Sequence, residues 1–168
     1  MSVLETERLT LREMTTDDAE FLLGLLNEPS FVQNIGDKNV RTIDDASLYA
    51  LNGPIASYKQ HGFGLYLVAL KETGEPIGIC GLVKRDSLPD ADIGYAFLPA
   101  YWRKGYALEA TTAIKCHAFT VLGHQRLLAI VNRENASSIR VLEKIGFKFK
   151  RMVRMSPDAP EICLYSSE

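Results

Sequence analysis

The 168 residues predict one α/β domain of the α+β kind, with a mixed, mostly antiparallel twisted sheet of about seven strands flanked by helices. Three observations carry this expectation. Short apolar runs with period-two alternation recur along the chain and exchange with apolar positions at helical spacing. Turn-forming clusters, Glu72-Thr73-Gly74-Glu75 and Ser87-Leu88-Pro89-Asp90, separate three consecutive strand-like runs, which reads as an antiparallel meander. No stretch rich in Pro, Gly or Ser divides the chain, and it contains no internal repeat or low-complexity segment.

In chain order, Leu9-Thr10-Leu11-Arg12 alternates as a half-buried strand, and Thr15-Thr16-Asp17-Asp18 offers N-caps for an apolar helix ending near Asn27. Pro29 stops that helix. A mostly helical segment resumes at Thr42-Ile43-Asp44-Asp45 and runs towards Tyr58, with Gly53-Pro54 interrupting it. Residues 64–70, 76–85 and 92–98 are the three strands of the meander. Over residues 106–122, Ala107, Ala110, Ile114, Ala118 and Val121 recur at intervals of three and four on one helical face, and Gly123 supplies the stop. Residues 126–131 form a short buried strand, about 135–145 a helix ended by Gly146, and 147–155 and 161–165 two final strands.

The composition excludes several classes. Hydrophobic residues make up 46% and charged residues 24%, as in a soluble globular protein, and a formal charge of −2 gives no general attraction to nucleic acid. The N-terminal Met-Ser-Val-Leu-Glu-Thr-Glu-Arg has no apolar leader core, and no run reaches the roughly 18 apolar residues of a membrane span. The expectation is a cytoplasmic protein that uses no membrane. Cys80, Cys116 and Cys163 are widely separated, have no metal-type spacing and sit in apolar contexts, so they are read as reduced packing residues and no metal is expected. His61, His117 and His124 fall near helix surfaces or ends and recommend themselves for no catalytic role.

The most informative stretch is Pro-Ala-Tyr-Trp-Arg-Lys-Gly-Tyr-Ala-Leu-Glu, from Pro99 to Glu109, which joins an alternating strand to the long helix. The first N–H groups of a helix have no intrahelical acceptor, and the aligned peptide dipoles add about half a positive charge at that end. Gly105 removes a Cβ where a phosphate must touch the backbone, and Arg103 and Lys104 set two cations beside it. The junction therefore reads as a site for a phosphate-bearing ligand, against the plainer reading of an ordinary strand-to-helix turn with a solvated basic pair.

Three ordered motifs give this chain a family likeness: the strand Asp92-Ile93-Gly94-Tyr95-Ala96-Phe97-Leu98, the Pro99 to Glu109 junction, and Asn135-Ala136-Ser137-Ser138-Ile139-Arg140-Val141-Leu142-Glu143-Lys144-Ile145-Gly146-Phe147. With them the chain resembles a GNAT-superfamily N-acetyltransferase. The opening Thr6-Glu7-Arg8-Leu9-Thr10-Leu11-Arg12, followed by Asp18-Ala19, is similar to the branch of Rim-type (RimJ/RimL) acetyltransferases of ribosomal-protein N-termini. The family's pyrophosphate loop usually opens on Gln or Arg. Here Trp102-Arg103-Lys104-Gly105-Tyr106-Ala107 opens on Trp, as is familiar in the Rim-type branch.

The resemblance implies acetyl-CoA as cosubstrate, held in a cleft where two parallel strands splay apart. Backbone N–H groups of Arg103, Lys104, Gly105, Tyr106 and Ala107 would take the pyrophosphate, and the pantetheine arm would run beside Phe97 and Leu98 like an added strand. Asn135 has two compatible readings, as the N-cap of its helix or as a hydrogen-bond partner of the pantetheine. Arg140 and Lys144, one helical turn apart, either approach the nucleotide end of the cofactor or form a solvated basic face.

Acetyl transfer by direct attack of an amine needs no covalent enzyme nucleophile, and the chain has no Gly-x-Ser-x-Gly elbow. A strand N–H within residues 92–98 is the natural oxyanion donor. Asp92 is the first candidate for general base and Tyr95 the second, each with a plain structural alternative. The tyrosine that many superfamily members place in the last helix as general acid is replaced by Leu142, which turns attention to Ser138 as a donor to the leaving sulfur. The acceptor expected from the resemblance is a protein or peptide N-terminal α-amine. A small-molecule amine is the alternative acceptor, and a non-catalytic CoA-binding sensor or assembly module is the alternative class. The loop lacks the Gly-x4-Gly-Lys-Ser/Thr spacing of a nucleotide hydrolase. The residues leave the oligomeric state open, a homodimer included.

Overall fold

Alternation along the central strands sorts their side chains onto two faces, and each face is covered by its own set of helices. The computed structural model describes residues 2–168. The strands are β1 (Ser2–Glu5), β2 (Leu9–Arg12), β3 (Leu65–Leu70), β4 (Pro76–Val83), β5 (Asp92–Phe97), β6 (Leu128–Val131), β7 (Lys148–Arg154) and β8 (Glu161–Ser166). They form one eight-stranded sheet in the order β1-β2-β3-β4-β5-β6-β8-β7, antiparallel throughout except for the β5–β6 pair. The helices are α1 (Ala19–Leu26), α2 (Pro29–Asn34), α3 (Ile43–Ala50), α4 (Ala56–His61), α5 (Tyr106–Thr120) and α6 (Ala136–Lys144).

Tyr66 and Val68 of β3, with Ile93 and Phe97 of β5, face Ala110, Ile114 and Ala118 of α5 and Leu142 of α6. Leu67 and Ala69 of β3, with Ile79 of β4, face the other way onto Leu22, Leu25 and Leu26 of α1 and Ala46 and Ala50 of α3. This is the period of two expected of strands buried on both sides. Gly81 of β4 is required by crowding, because a Cβ there would lie 2.1 Å from the Gly64 carbonyl oxygen.

Several sequence expectations are corrected. Ser2–Glu5 forms an additional edge strand, because pairing with β2 recruits a run whose own pattern shows no alternation. Pro29 does more than end a helix: it stands at the first position of α2, where its missing N–H leaves no hydrogen bond unmade. Gly53-Pro54 does not break the segment over residues 43–61. A single π-helical turn, Leu51–Ile55, carries the chain from α3 into α4 and accommodates the proline. Val121 lies beyond the last turn of α5 and is 69% exposed. Cys80 and Cys163 are buried packing residues, but Cys116 is exposed on α5, because its helical position falls off the buried face that carries Ile114 and Ala118. His61 stacks on Phe63 and His124 meets it in an edge-on arrangement, with ring centroids 5.5 and 5.3 Å away. No helix among the described residues is long and apolar enough to cross a membrane.

Candidate active site

Strands β5 and β6 run parallel but meet at one register position only, Asp92 opposite Leu128. The Leu128 N–H donates to the Ala91 carbonyl oxygen at 3.0 Å, and beyond this point the strands separate towards their C-terminal ends. Backbone groups alternate sides along a strand, so Ala91 facing β6 means that Ile93, Tyr95 and Phe97 do too. The opposite parity is confirmed by the Leu98 N–H, which donates to the Ile77 carbonyl oxygen on β4 at 2.9 Å. The sheet thus contains an open strand edge, formed by Ile93, Tyr95 and Phe97, at its centre. Phe97 lies on that edge as expected, whereas the N–H of Leu98 is turned to β4.

The expected phosphate turn closes the wide end of this opening. Gly105 stands at the N-cap of α5 with φ of 83°, and Arg103 also takes positive φ, 62°. Left-handed residues in close succession turn backbone N–H groups into a concave, anion-accepting surface. The helix ladder begins with the Glu109 N–H donating to the Gly105 carbonyl oxygen at 3.0 Å, so the N–H groups of Tyr106, Ala107 and Leu108 precede it. Gly105 has no side chain with which to cap them. Arg103, Lys104 and Gly105 are exposed, with Tyr106 and Ala107 half-buried.

Residues distant in sequence brace the turn. The Trp102 indole N–H donates to the Phe97 carbonyl oxygen at 2.8 Å, folding the turn back onto the end of β5. The Arg8 guanidinium donates to the Lys104 carbonyl oxygen at 2.8 Å and to Glu109 Oε1 at 2.7 Å, and lies 4.4 Å over the Tyr106 ring. Glu109 also accepts from the Arg8 backbone N–H at 2.9 Å and from the Thr6 hydroxyl at 2.5 Å. Burial works against the Glu109 carboxylate, but these donors hold its pKa below the usual value. The charge of this carboxylate in the first turn of α5 is thereby balanced by Arg8. Arg8 and Glu109 escaped the sequence reading as site residues, since they lie 101 positions apart.

On the far side of the opening, Asn135 caps α6. Its Oδ1 accepts from the Ser138 N–H at 3.3 Å and from the Ser137 hydroxyl at 3.2 Å. The cap uses only the amide oxygen, which leaves the amide N–H groups for another partner. Ser138 Oγ accepts from the Tyr95 hydroxyl at 2.8 Å, a contact that links β5 directly to the first turn of α6. Burial pushes the Tyr95 phenol up to about 12, against a smaller lowering by Ser138. Arg140 and Lys144 are exposed on α6.

Asp92 sits at the vertex of the splay and is only 1% exposed, which is not the position of a surface aspartate. Its Oδ2 accepts from Arg85 Nε at 2.8 Å. Burial raises the carboxyl to about 6, with the Arg85 charge and hydrogen bond and then Lys84 pulling the other way. Arg85 follows the end of β4 just as Asp92 opens β5, so the Val83–Asp92 register brings them together. Burial first and the Arg85 charge second lower the pKa of Lys38, while Tyr49 is raised by burial and lowered by Arg85. Asn132, just past β6, donates its side-chain N–H to the Asn34 carbonyl oxygen of α2 at 3.0 Å and ties the end of β6 to that helix. Among the described residues, no group of three or more His, Cys, Asp or Glu side chains is placed to hold a metal.

Comparison with known proteins agrees with this geometry. The family described as acetyltransferase (GNAT) domain matches residues 8–148. The uncharacterized N-acetyltransferase YoaA of Bacillus subtilis is 30% identical over 153 residues, covering 90% of this chain and 86% of that protein. The crystal structure of an acetyltransferase from Agrobacterium tumefaciens superposes with a TM-score of 0.81 at 27% identity, covering 97% of this chain and 92% of that one. The fold is shared equally with RimL, a ribosomal L7/L12 alpha-N-protein acetyltransferase solved with coenzyme A, at a TM-score of 0.83, 16% identity and coverage of 99% and 97%. An open strand edge facing an uncapped helix N-terminus, on a chain matched over most of its length, therefore identifies a member of the GNAT acetyltransferase family, an N-acetyltransferase.

Proposed function

We propose that the chain transfers the acetyl group of acetyl-CoA to the α-amine of a protein or peptide N-terminus. The observation that carries this reading is the β5–β6 splay, which lays the edge formed by Ile93, Tyr95 and Phe97 between the N-termini of α5 and α6. The N–H groups of residues 103–107 hold the pyrophosphate, with Arg103 and Lys104 beside it. The edge of β5 hydrogen-bonds the pantetheine, and the Asn135 amide N–H donates to it while its oxygen keeps the cap. This places the thioester towards the vertex, near Asp92.

There the amine nitrogen attacks the thioester carbonyl carbon, and a β5 N–H stabilises the oxyanion. Collapse breaks the C–S bond and releases the CoA thiolate, to which Ser138 donates a hydrogen bond. Asp92, paired with the partly exposed Arg85, takes the proton of the amine through a water molecule. A base near 6 suits an α-amine, whose reference pKa of about 7.7 to 8.0 is roughly 2.5 units below that of lysine, a difference of about 3.4 kcal/mol.

The charges also favour an α-amine over a polyamine. Of the three acids in this region, Asp90 is held by Arg126 at 2.6 Å and Asp92 by Arg85 at 2.8 Å, while Asp86 is exposed to solvent. Lys38 and Arg85 add positive charge that a polycation would have to approach. The test is thiol release from acetyl-CoA by the purified protein against peptides with different first residues, spermidine and lysine. Faster release with peptide α-amines supports the reading, a preference for spermidine replaces it with a small-amine acetyltransferase, and CoA binding without amine-dependent release overturns catalysis.

A further inference from the structure

We propose that Tyr95 is a positioning residue of the transfer: its phenol, bonded at 2.8 Å to Ser138 Oγ across the opening between β5 and α6, fixes the serine hydroxyl as a donor to the departing sulfur. The proposal rests on the acetyl-transfer reading above and adds to it a residue on the opposite wall of the cleft.

A serine hydroxyl has one proton and two lone pairs and rotates to suit its surroundings. In the first turn of α6 the Ser138 backbone N–H is already committed to Asn135, so the backbone is held while the hydroxyl alone remains to be set. The phenol is the stronger acid of the two hydroxyls and is the better donor. With Tyr95 donating into one lone pair, the serine proton cannot point back at Tyr95 and is directed elsewhere. Hydrogen bonds in such a chain polarise one another, so a donating phenol makes the serine a better donor in turn. Tyr95 is anchored for this role because its ring is packed beside Phe97, with centroids 6.1 Å apart, on a strand locked to β4 along its whole length.

Magnitudes distinguish positioning from proton relay. Burial holds the phenol near 12, whereas a thiol titrates near 8.5, so moving a proton from Tyr95 through Ser138 to the thiolate is disfavoured by roughly three powers of ten. Tyr95 therefore orients and polarises Ser138 without being ionised. The CoA leaves as a hydrogen-bonded thiolate and is protonated afterwards by water. Leu142, 2% exposed in the core, has no part in this chemistry.

The experiment measures kcat and KM for acetyl-CoA on the full chain, with a serine-initiated peptide as acceptor, in Tyr95→Phe, Ser138→Ala, the double variant and Ser138→Thr with and without Tyr95→Phe. The expected result is a kcat about tenfold lower in Tyr95→Phe with KM for acetyl-CoA within about twofold, and a double variant no slower than Ser138→Ala alone. In the Ser138→Thr background, which keeps a hydroxyl, Tyr95→Phe again lowers kcat. An unchanged kcat in Tyr95→Phe, or single effects that multiply in the double variant, overturns the proposal. Melting midpoints of all variants separate a folding defect from a rate defect, and Ser138→Thr tests the coupling even if Ser138→Ala is unstable. A wild-type protein with no amine-dependent thiol release defeats the proposed function itself, whereas an active wild type with an indifferent Tyr95→Phe defeats only this inference.

Discussion

Arg85 Nε lies 2.8 Å from Asp92 Oδ2, yet the Asp92 carboxyl stands at about 6, above its ordinary value, because burial outweighs the ion pair. The folded protein consequently binds a proton more tightly at this site than the unfolded chain does. The Asp92 contribution to stability is then fully present below about pH 4 and is lost as pH rises through 6, leaving a cost of roughly 3 kcal/mol at neutral pH. Asp92→Asn removes that dependence. Its unfolding free energy, measured by denaturant titration, should gain on the wild type between pH 4 and 7.

The same substitution separates stability from activity. If Asp92 is the base, the wild-type rate rises with pH through about 6 as the carboxylate forms, and Asp92→Asn loses that limb with kcat lower by about 100-fold or more. A pH–rate profile on acetyl-CoA and a peptide amine checks it; an intact limb in the variant excludes Asp92.

Arg8→Ala should weaken CoA binding in calorimetry by about 5- to 10-fold with kcat little changed, because Arg8 holds the Lys104 carbonyl and neutralises Glu109 without reaching the thioester. The pair is partly solvated, so unfolding free energy should fall by less than about 1 kcal/mol.

Gly105→Ala should lower stability by about 1 to 2 kcal/mol and weaken CoA binding together. The residue stands at φ of 83°, and its new Cβ would lie 3.2 Å from Arg8 Nη2. Chemical denaturation and calorimetry on one preparation read both effects.

Asn135 can be divided into its two roles. Asn135→Ala removes the cap of α6 and should cost about 1 kcal/mol, whereas Asn135→Asp keeps a capping oxygen and loses only the amide donor. The aspartate variant should retain wild-type stability and show a raised KM for acetyl-CoA. An unchanged KM would confine Asn135 to capping.

Local sequence was sufficient wherever one element decides the outcome. The apolar spacing of Ala110, Ile114 and Ala118 announced α5, the Asn135 cap announced α6, and Gly105 marked the left-handed turn at which α5 begins. These depend on helical period, a side-chain oxygen at an N-cap, and the absence of a Cβ, all properties of a few consecutive residues. The short edge strand β1 and the π turn over Leu51–Ile55 were not legible, because strand pairing and helix packing impose them from outside.

Tertiary structure alone decided the surroundings of the chemistry. Folding brings Arg8 to Glu109, sets the Tyr95 hydroxyl on Ser138 and pairs Asp92 with Arg85. The chain by itself determined which residues could bind an anion or carry a proton. Their orientation, solvent exposure and proton affinity depend on partners that only the closed sheet and its two helical layers bring within contact.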